Sequence, residues 1–536
     1  MANYEPFILA ALEQLPAKQV DFLHLKKLLS KQFKLPIPTN ADLRDVYEKL
    51  VLAKKIRRCE RLEQLLKTRA VRTQSGVAVV AVLTRPSACP GKCLYCPSEK
   101  GMPKSYLSNE PAVMRAIDAK FDPYRQVQNR LRSLELNGHS TDKIELIVMG
   151  GTFSYFPKTY QKKFIFQCFK ACNDYPKVSS FQFPISKISE RLLHEQKRNE
   201  KAKHRIIGLT LETRPDYIDE KELLNFRRLG CTRVELGVQS IFDDVLELNK
   251  RGHLVAQTIR ATKLLKNAGF KINYHMMPGL PGSNVERDLE MFKKLFTDSA
   301  FQPDMLKIYP TVVLKDSELY DLWKKGAYAP LDDAAFEKLV LQIKREAIVP
   351  YVRIARLVRD VPTPSIVAGP IVSNLRQIIA PKTSCPCIRC REVKGDFDAT
   401  EKIVLERLDY AASDGQEIFL QYVSPDKKKL FALLRLRIPE SAAPTVGAKP
   451  LLLPVLKNAA LIREVHTYGK LAKINTQEKT SPQHIGLGKK LLLEAERIAK
   501  EEYGFKKIAV ISGVGVRAYY RKSGYRQKDT YMVKHI

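Results

Sequence analysis

Short apolar runs alternate with longer amphipathic stretches through the middle of the chain. Six of these runs lie between residues 77 and 309, and each has the length of an ordinary strand. Runs without polar alternation predict strands that are buried on both faces, as in a parallel sheet covered by helices. The six predicted strands are Val77–Leu83, Ile144–Met149, Ile206–Leu211, Arg233–Val238, Ile272–His275 and Met305–Tyr309.

The two ends of the chain have other patterns. Near the N-terminus, Leu25, Leu28 and Leu29 recur at helical spacing and predict a helical segment. The C-terminal part holds five further strand-like runs and one amphipathic helix, Leu487–Tyr503, which together predict an α+β domain. The predicted regions are 1–75 (helical), 76–370 (parallel sheet), 371–394 (linker) and 395–536 (α+β), with a loop insertion at 440–460. The predicted C-terminal strands are Ile403–Leu408, Ile418–Val423, Leu430–Arg437, Leu461–His466 and Lys507–Ile511.

The amino-acid composition indicates which class of partner the protein binds. The 536 residues carry a formal net charge of +33, and 44% of them are hydrophobic, which is enough for ordinary buried cores. No apolar run reaches the length of a membrane span, and the N-terminus lacks the basic start of a signal peptide. We therefore expect a cytoplasmic protein that meets a polyanion and no membrane.

The basic residues are densest in the N-terminal segment. Residues 1–75 contain 15 Lys and Arg against 8 Asp and Glu, and Lys54–Arg72 is the most basic stretch. A single charge run also fits a solvated helix face, but the net charge of the whole chain favours nucleic-acid contact. The residues predicted to contact nucleic acid are Lys54, Lys55, Arg57, Arg58, Arg353 and Arg356.

The segment CPGKCLYC places Cys89, Cys93 and Cys96 in one loop after the first predicted strand. Three neighbouring thiolates can hold three irons of a [4Fe–4S] cluster and leave the fourth iron open. A structural zinc ion is the alternative, although such an ion takes four protein ligands. The four scattered cysteines, including Cys168 and Cys172, are expected in apolar cores.

This cysteine spacing resembles the radical S-adenosylmethionine superfamily. The resemblance implies that the open iron binds S-adenosylmethionine and that its cleavage gives a 5′-deoxyadenosyl radical. Polar and glycine residues end the following strands, at the edge where parallel sheets carry their ligands. Thr152 stands where many members of the superfamily carry Glu, which puts the neighbouring contact in doubt. The residues that the resemblance assigns to S-adenosylmethionine are Gly150, Gly151, Glu212, Gln239 and His275.

The segment QHIGLG opens the amphipathic helix of the C-terminal domain. Glycines at a helix N-terminus let backbone N–H groups reach a pyrophosphate, although another phosphate ligand would fit as well. With the following strand and GVRAYYRKSGY, the segment resembles GNAT-type acetyltransferases. The resemblance places Tyr519 and Tyr520 near a thioester, and Glu464 is either a base or a cross-strand partner. The residues that would bind acetyl-coenzyme A are Gln483, His484, Ile485, Gly486, Leu487, Gly488, Gly513 and Tyr520.

A second cluster, CPCIRC, lies between the two predicted domains. Cys385, Cys387 and Cys390 with a fourth ligand would make a structural zinc site, and His466 at the end of a strand is the best candidate for that ligand. A second iron–sulfur cluster is the alternative. A zinc ion here would tie the two domains together.

The two halves together resemble a narrower family, the catalytic subunit of Elongator, which modifies uridine in tRNA. The resemblance covers about residues 75–536 and rests on motifs such as CPGKCLYCP, LETRPD, VELGVQS, NYHMMPGLPG and ISGVGVRAYYRKSGY. It implies a partial (β/α)6 radical barrel fused to a GNAT-type domain. It also implies that acetyl-coenzyme A supplies a carboxymethyl group to C5 of the wobble uridine in the tRNA anticodon stem-loop. Accessory subunits or a homodimer are consistent with it.

Three other functions fit parts of the sequence. A protein lysine acetyltransferase could use the barrel as a scaffold, but the net charge of +33 does not favour basic substrate tails. A radical enzyme that methylates or thiolates RNA would leave the C-terminal domain without a catalytic role. A tRNA-binding assembly subunit would need neither site to be active.

Overall fold

The computed structural model describes residues 3–68, 76–177, 185–393, 401–440, 453–469 and 486–536. No helix in these ranges is both long and apolar enough to span a bilayer. The predicted loop insertion at 440–460 lies mostly outside them, as do the residues around the predicted boundaries at 75 and 394. The domain limits therefore stay predictions.

The N-terminal segment is helical, as its apolar spacing predicts. Thr39 and Asp42 form a capping box that starts the third helix. Phe7, Phe22 and Leu43 are buried in a small core that the four helices share. The helices are α1 (Glu5–Glu13), α2 (Gln19–Gln32), α3 (Asn40–Leu52) and α4 (Glu60–Leu66).

The second region is a curled sheet of parallel strands with helices on its outer face. All six strands predicted from apolar runs are present; four of them are one to three residues longer than predicted, and the first and the sixth are one residue shorter. Hydrophobic side chains from the sheet and the helices form one buried cluster. The elements are β1 (Ala78–Leu83), α5 (Pro111–Asp118), α6 (Pro123–Leu136), β2 (Lys143–Met149), α7 (Lys158–Asp174), α8 (Ile188–Asn199), β3 (Arg205–Thr213), α9 (Glu220–Leu229), β4 (Arg233–Gln239), α10 (Asp243–Leu248), α11 (Val255–Asn267), β5 (Lys271–Met276), α12 (Val285–Thr297) and β6 (Met305–Ile308).

The stretch predicted to extend the sheet adds a seventh strand. The strands lie in the order β1-β2-β3-β4-β5-β6-β8, and every neighbouring pair is parallel. The sheet is therefore a partial barrel with one strand beyond the six predicted units. The elements of this stretch are β7 (Val313–Leu314), α13 (Leu319–Lys324), α14 (Asp333–Glu346), β8 (Arg353–Arg356), β9 (Ile366–Ala368), α15 (Leu375–Ile379) and α16 (Ile388–Arg391).

The C-terminal region is a mixed seven-stranded sheet, as the α+β prediction requires. Its strands lie in the order β10-β11-β12-β13-β14-β16-β15, and only the pair of β13 and β14 is parallel. Helix α17 packs one face of this sheet and continues as a π-helical turn at Ile498–Glu502. The elements are β10 (Val404–Ala411), β11 (Gly415–Val423), β12 (Leu430–Pro439), β13 (Ala460–Thr467), α17 (Leu487–Arg497), β14 (Lys507–Val510), α18 (Arg517–Lys522), β15 (Arg526–Lys528) and β16 (Tyr531–His535).

The second face of this sheet packs against the amino ends of the barrel strands. Three fully buried arginines cross that boundary: Arg435, Arg437 and Arg463. Arg463 donates to both carboxylate oxygens of Asp304, at 2.9 and 2.5 Å. Arg435 donates to the carbonyl oxygen of Tyr351 at 2.6 Å. The acyl-transferase half predicted by sequence therefore lies at the end of the barrel opposite the cysteine loop.

Candidate active site

A cavity of about 750 Å³ fills the inside of the curled sheet. Its wall takes side chains from β1 to β6, from β8 and from the loop that follows β1. Charged groups line it along the length of the strands, whereas closed barrels of this type fill their interior with branched apolar side chains. In an open polar interior, residues at the carboxyl ends of several strands can contact one ligand together.

Three cysteines line this cavity from the loop after β1: Cys89, Cys93 and Cys96, called here the barrel triad. Arg251 donates a hydrogen bond of 3.5 Å to the Sγ of Cys93. Burial by itself would raise the pKa of Cys93, but the Arg251 guanidinium outweighs burial and lowers it. Burial, with the neighbouring Cys93, raises the pKa of Cys96 to about 11. The triad thus has one thiol that is stabilised as a thiolate without a metal.

The second cysteine cluster, called here the linker triad, is more compact. The Sγ atoms of Cys385, Cys387 and Cys390 all lie within 4.8 Å of one another. A single tetrahedral zinc with bonds of about 2.3 Å to sulfur fits such a spacing. Among the residues that the structure describes, the barrel triad does not form a group of this tightness. A [4Fe–4S] cluster binds each cysteine on a different iron, so its ligands stand further apart.

The glycine pair after β2 has two different roles. Gly150 has φ of 127°, and a Cβ there would overlap Thr84 on the neighbouring strand. Gly151, with φ of 91°, lines the cavity, and the nearest atom to a Cβ there would be the carbonyl oxygen of Lys104 at an ordinary 3.7 Å. Thr152 follows, and its hydroxyl lies 3.9 Å from the Sγ of Cys89. Gly151 is therefore the member of the pair that can approach a ligand.

A chain of charged groups crosses the cavity below the barrel triad. Glu235 accepts a hydrogen bond of 2.8 Å from Nε2 of His275 and a second one from Lys307. Glu212 lies 3.6 Å from the same ammonium and accepts from Tyr106 at 3.0 Å. Burial would raise the pKa of Glu235, but Lys307, His275 and Arg233 together outweigh burial and hold that pKa well below its usual range. Of these groups the sequence predicted Glu212 and His275.

The sequence did not single out Glu235 and Lys307, although a signal was present. Lys307 is the one charged residue of the strand Met305–Ile308, and Glu235 stands between apolar residues inside the strand Arg233–Gln239. A buried charge must be paired, so a charge in such a run indicates a partner on a neighbouring strand. Only the sheet order, which places β4 beside β5 and β5 beside β6, identifies the two residues as partners.

Gln239 ends β4 in a conformation that side chains rarely adopt. Its φ is 72°, and its Oε1 is buried without a hydrogen-bond partner among the described residues. Strained backbone of this kind persists where the surroundings fix it, and it is frequent at ligand sites. The residue lines the cavity at the same edge as Gly151, as the predicted ligand contact requires.

The loop after β5 is held by a buried carboxylate. Asp288 accepts the backbone N–H of Gly279 at 2.6 Å and the hydroxyl of Ser283 at 2.7 Å. Tyr328 donates to the carbonyl oxygen of Gly279 at 2.6 Å. Burial raises the pKa of Asp288 to about 6. Three hydrogen bonds thus hold the loop that follows the predicted ligand residue His275.

In the C-terminal domain, three elements meet at the start of α17. A Cβ at Gly488 would stand 2.9 Å from Oη of Tyr519 and 3.5 Å from Thr467 on β13. Gly486, just before the helix, has φ of 76° and open space around it. Leu487 is buried in the core of the domain. The predicted ligand residues Gln483, His484 and Ile485 lie outside the described part of the chain.

The parallel strands β13 and β14 separate next to this helix start. They pair from Ala460 to Ile462 only, and a register shift against β12 follows at Arg463. Beyond that point β13 continues to Thr467 without β14 as a partner, because β14 ends at Val510. Tyr519 is 41% exposed beside this region, whereas Tyr520 is 6% exposed and packs in the core. The exposed tyrosine is the one placed to meet a ligand.

The sequence predicted that Glu464 is either a catalytic base or the partner of a residue on a neighbouring strand, and the structure shows such a partner. Glu464 pairs with Arg435 on β12 at 2.9 Å and with Lys271 on β5 at 3.0 Å. Burial would raise the pKa of Glu464, but these two cations lower it far below its usual range. A carboxylate held in this way is a weak base. Its predicted role in catalysis stays a prediction.

Gly513 approaches protein backbone closely. A Cβ at this position would overlap the carbonyl oxygen of Ile207 on β3. The next glycine, Gly515, approaches β3 as well, because a Cβ there would stand 2.7 Å from Cβ of Arg205. The absence of side chains at these two glycines is thus explained by the packing of the C-terminal domain on the barrel. The predicted contact of Gly513 with acetyl-coenzyme A stays a prediction.

His466 does not belong to the compact group formed by the linker triad. Its Nε2 is buried without a partner among the described residues, and its ring centroid lies 4.3 Å from that of Tyr468. Burial lowers the pKa of His466 to about 4, which leaves the imidazole neutral as a metal ligand requires. The linker triad fits a zinc ion, and the identity of its fourth ligand stays a prediction.

The predicted nucleic-acid contacts fall into two groups. Lys54, Lys55, Arg57 and Arg58 are exposed between α3 and α4. Lys55 pairs with Glu5, and Arg58 pairs with Glu48 and Glu63. Arg353 and Arg356 line the barrel cavity, where Arg353 is half-buried and Arg356 is exposed. Arg353 donates to Glu392 at 2.7 Å and to Tyr468 at 3.3 Å.

Two known family models match the chain, both on the N-terminal side of the linker triad. Residues 84–295 match the Radical SAM superfamily, and residues 303–383 match the Radical_SAM C-terminal domain. A tRNA uridine(34) acetyltransferase from Methanocaldococcus infernus is 45% identical over 491 residues, which is 88% of this chain and 88% of the relative. Elongator complex protein 3 from Homo sapiens is 40% identical over 491 residues, 88% of this chain and 86% of the relative.

A solved structure matches the fold over both regions. The archaeal Methanocaldococcus infernus Elp3 with an N-terminal deletion (1–46) superposes with a TM-score of 0.70 at 41% sequence identity. The match covers 86% of this chain and 100% of that chain. The similarity therefore includes the barrel and the C-terminal sheet together.

Proposed function

Because the chain belongs to the family of the tRNA uridine(34) acetyltransferases and Elongator complex protein 3, we propose that it modifies the wobble uridine of tRNA. In this proposal it attaches a carboxymethyl group, derived from acetyl-coenzyme A, to C5 of that uridine. The proposed reaction needs both halves of the chain. The observation that supports it best is the contact between these two halves. A cavity with a cysteine triad and a sheet with a glycine-opened helix are packed into one molecule.

The barrel triad would hold a [4Fe–4S] cluster at the mouth of the cavity. When bound there with S-adenosylmethionine, the cluster supplies a 5′-deoxyadenosyl radical, which can take hydrogen from an unactivated methyl group. Arg251 stabilises the thiolate of Cys93 that such a cluster needs. Gly151, Gln239 and the charged groups around Lys307 would contact the bound S-adenosylmethionine, because they line the same cavity.

The overall reaction is balanced with S-adenosylmethionine as the oxidant. One C–H bond of the acetyl methyl group and the C5–H bond of uridine break, and one C–C bond forms between these carbons. The products of this stage are 5′-deoxyadenosine, methionine, one proton and the uridine that carries the thioester. Water then cleaves the thioester to give 5-carboxymethyluridine and free coenzyme A.

The C-terminal domain would hold acetyl-coenzyme A between the separated strands β13 and β14. The first turn of α17 would bind the pyrophosphate, since helix N-termini favour phosphate groups and the space around Gly486 is open. The exposed Tyr519 lies beside Gly488 and could donate a hydrogen bond to the thioester carbonyl or to the leaving thiolate. Burial raises the pKa of Tyr519, which keeps its hydroxyl protonated as a donor.

The remaining partners follow from the same proposal. The exposed cations between α3 and α4 would contact the anticodon stem-loop, whose bases can be splayed out of the stack. The linker triad would hold a structural zinc ion where the barrel meets the C-terminal sheet. Accessory subunits or a second copy of the chain would extend the tRNA surface, and the cytoplasm is the expected compartment.

The test is an anaerobic reaction of the reconstituted protein with tRNA, acetyl-coenzyme A, S-adenosylmethionine and a reductant. Mass spectrometry of the digested tRNA is expected to detect 5-carboxymethyluridine with the wild type and to miss it with Cys93→Ala. Parallel reactions contain lysine-rich histone-type peptides in place of tRNA. Acetylation of these peptides without any modified uridine would replace the proposal by a protein lysine acetyltransferase.

A further inference from the structure

The barrel cavity continues below the layer of Glu235 and His275, toward the amino ends of the strands. Arg233 and Asn273 line this deeper part, and each lies two residues before Glu235 or His275 on its strand. Two strand residues span about 6–7 Å. A ligand that is bound at the carboxyl ends of the strands therefore does not contact the deeper part of the cavity. Arg233 and Asn273 are called here the cavity floor.

Asn273 carries a free hydrogen-bond acceptor. The side chain is fully buried, and its Nδ2 donates to Oε1 of Glu235 at 3.1 Å. Because a carboxylate only accepts, the amide nitrogen must face Glu235 and Oδ1 must face away. Oδ1 has no hydrogen-bond partner among the described residues. A buried acceptor without a partner indicates that a ligand brings an N–H group to it.

Arg233 carries a free donor next to this acceptor. Its terminal nitrogens pair with Glu145 and lie 3.7 Å from Oε1 of Glu235. Its Nε is buried and has no partner among the residues described. Arg233 and Asn273 therefore contact the same oxygen of Glu235 and present one donor and one acceptor to the cavity.

We propose that the cavity floor binds the uracil ring of the substrate by its Watson–Crick edge. Oδ1 of Asn273 accepts the N3–H of uracil, and the Nε–H of Arg233 donates to a neighbouring carbonyl oxygen of the ring. This assignment rests on the proposed function, since it takes a uridine as the substrate. Enzymes that act on a base commonly extrude it into a pocket and bind this edge.

This orientation of the uracil ring explains why C5 is the carbon that reacts and why uridine is selected over cytidine. C5 and C6 form the side of the uracil ring that lies away from N3, so a base anchored at N3 presents C5 toward the barrel triad. Cytosine has an acceptor at N3 and a donor at C4, and it would place its N3 lone pair against Oδ1 of Asn273. The cavity floor therefore selects uridine over cytidine by the direction of its hydrogen bonds.

The experiment compares the wild type with Asn273→Ala, with Arg233→Lys and with Thr210→Val. Thr210→Val is the matched control, because this hydroxyl is also buried and unpartnered on a barrel strand but does not line the cavity. Arg233→Lys keeps the positive charge beside Glu145 and removes the Nε donor. Each protein is assayed on tRNA with U34 and, as a competitor, the same tRNA with C34.

Both floor variants are expected to lose roughly 10- to 100-fold in kcat/KM for U34, the range of a lost base contact. They should also discriminate less between U34 and C34 in the competition, while iron content and the KM for acetyl-coenzyme A stay unchanged. Floor variants that match Thr210→Val in kcat/KM and in selectivity would overturn the assignment. A raised KM for acetyl-coenzyme A alone would assign the floor to the amide groups of that molecule. Failure of the wild type to modify U34 would contradict the proposed function itself.

Discussion

Glu200, which directly follows α8, accepts a hydrogen bond of 3.1 Å from Arg517, the first residue of α18. Its other carboxylate oxygen accepts from Arg521 at 2.6 Å, near the end of the same helix. Tyr519 and Tyr520 lie on α18 between the two arginines. One carboxylate from the barrel thus holds both ends of the helix that carries the tyrosines.

We predict that Glu200→Gln disturbs acetyl-coenzyme A chemistry without affecting the barrel cavity. Loss of the charge leaves two arginines unpaired and should lower the free energy of unfolding by about 2 kcal/mol. The kcat of acetyl-coenzyme A hydrolysis should fall at least about 10-fold, because Tyr519 loses its fixed position. The rate of 5′-deoxyadenosine formation in the absence of acetyl-coenzyme A should be unchanged. Glu318→Gln, which breaks an exposed pair with Lys250, is the control and should alter neither rate.

We predict that Gly513→Ala destabilises the joint between the domains. The new Cβ would overlap the carbonyl oxygen of Ile207, and backbone on both sides leaves little room for adjustment. A loss of about 2 kcal/mol in unfolding free energy is expected from such overpacking. Gly208→Ala is the matched control on β3, because its nearest contact would be an ordinary 3.8 Å to Glu145. If Gly513→Ala kept its stability and lost only affinity for acetyl-coenzyme A, the glycine would serve the ligand.

The two cysteine triads should bind different metals. Cys387→Ser is expected to lose one zinc per chain and to retain iron, because the close sulfur atoms of the linker triad fit a single ion. Cys93→Ala should lose iron and retain zinc. Metal analysis after reconstitution measures both, with Cys168→Ala, a buried core cysteine, as the control. Loss of iron from Cys387→Ser would instead indicate a second iron–sulfur cluster.

Asp288 should make stability depend on pH in an unusual direction for a carboxylate. Its pKa is raised from 3.8 to about 6 in the folded protein, so the folded state binds the proton more tightly than the unfolded chain. Its contribution to stability is complete below pH of about 4 and is lost as pH rises through about 6, by roughly 3 kcal/mol. The stability of the wild type relative to Asp288→Asn should therefore fall over this range. Denaturant titrations at pH 4.5 and pH 7 measure it, and an equal change in the exposed Asp316→Asn would contradict the assignment.

Much of the fold could be predicted from local sequence. Strands such as Ile144–Met149 are short runs of mostly apolar residues, and the length and composition of such a run are enough to predict a strand. The cysteine motifs are local as well, since their ligands lie within a few residues. The seventh strand, β8, was missed because Arg353–Arg356 has two arginines in four residues, and the pattern of such a short run resembles a loop.

The parts that could not be predicted depend on contacts between distant segments. Lys307 and Glu235 are 72 residues apart, and only the sheet order brings the ammonium to the carboxylate. The predicted contact of Gly513 with a cofactor stays a prediction, but the sequence could not indicate that the backbone of β3 lies against the same glycine. A glycine in the sequence indicates a close approach without indicating what approaches.

The three buried arginines on the C-terminal sheet have a consequence for how the two halves can change over time. Arg463 and Arg435 are neutralised in part by Asp304, which belongs to the barrel. A C-terminal half transplanted onto another barrel would leave these cations buried without their counter-charge, at a cost of several kcal/mol. The two halves, although separable as sequence motifs, are therefore not interchangeable parts. Substitutions at this boundary can persist only when both halves change together.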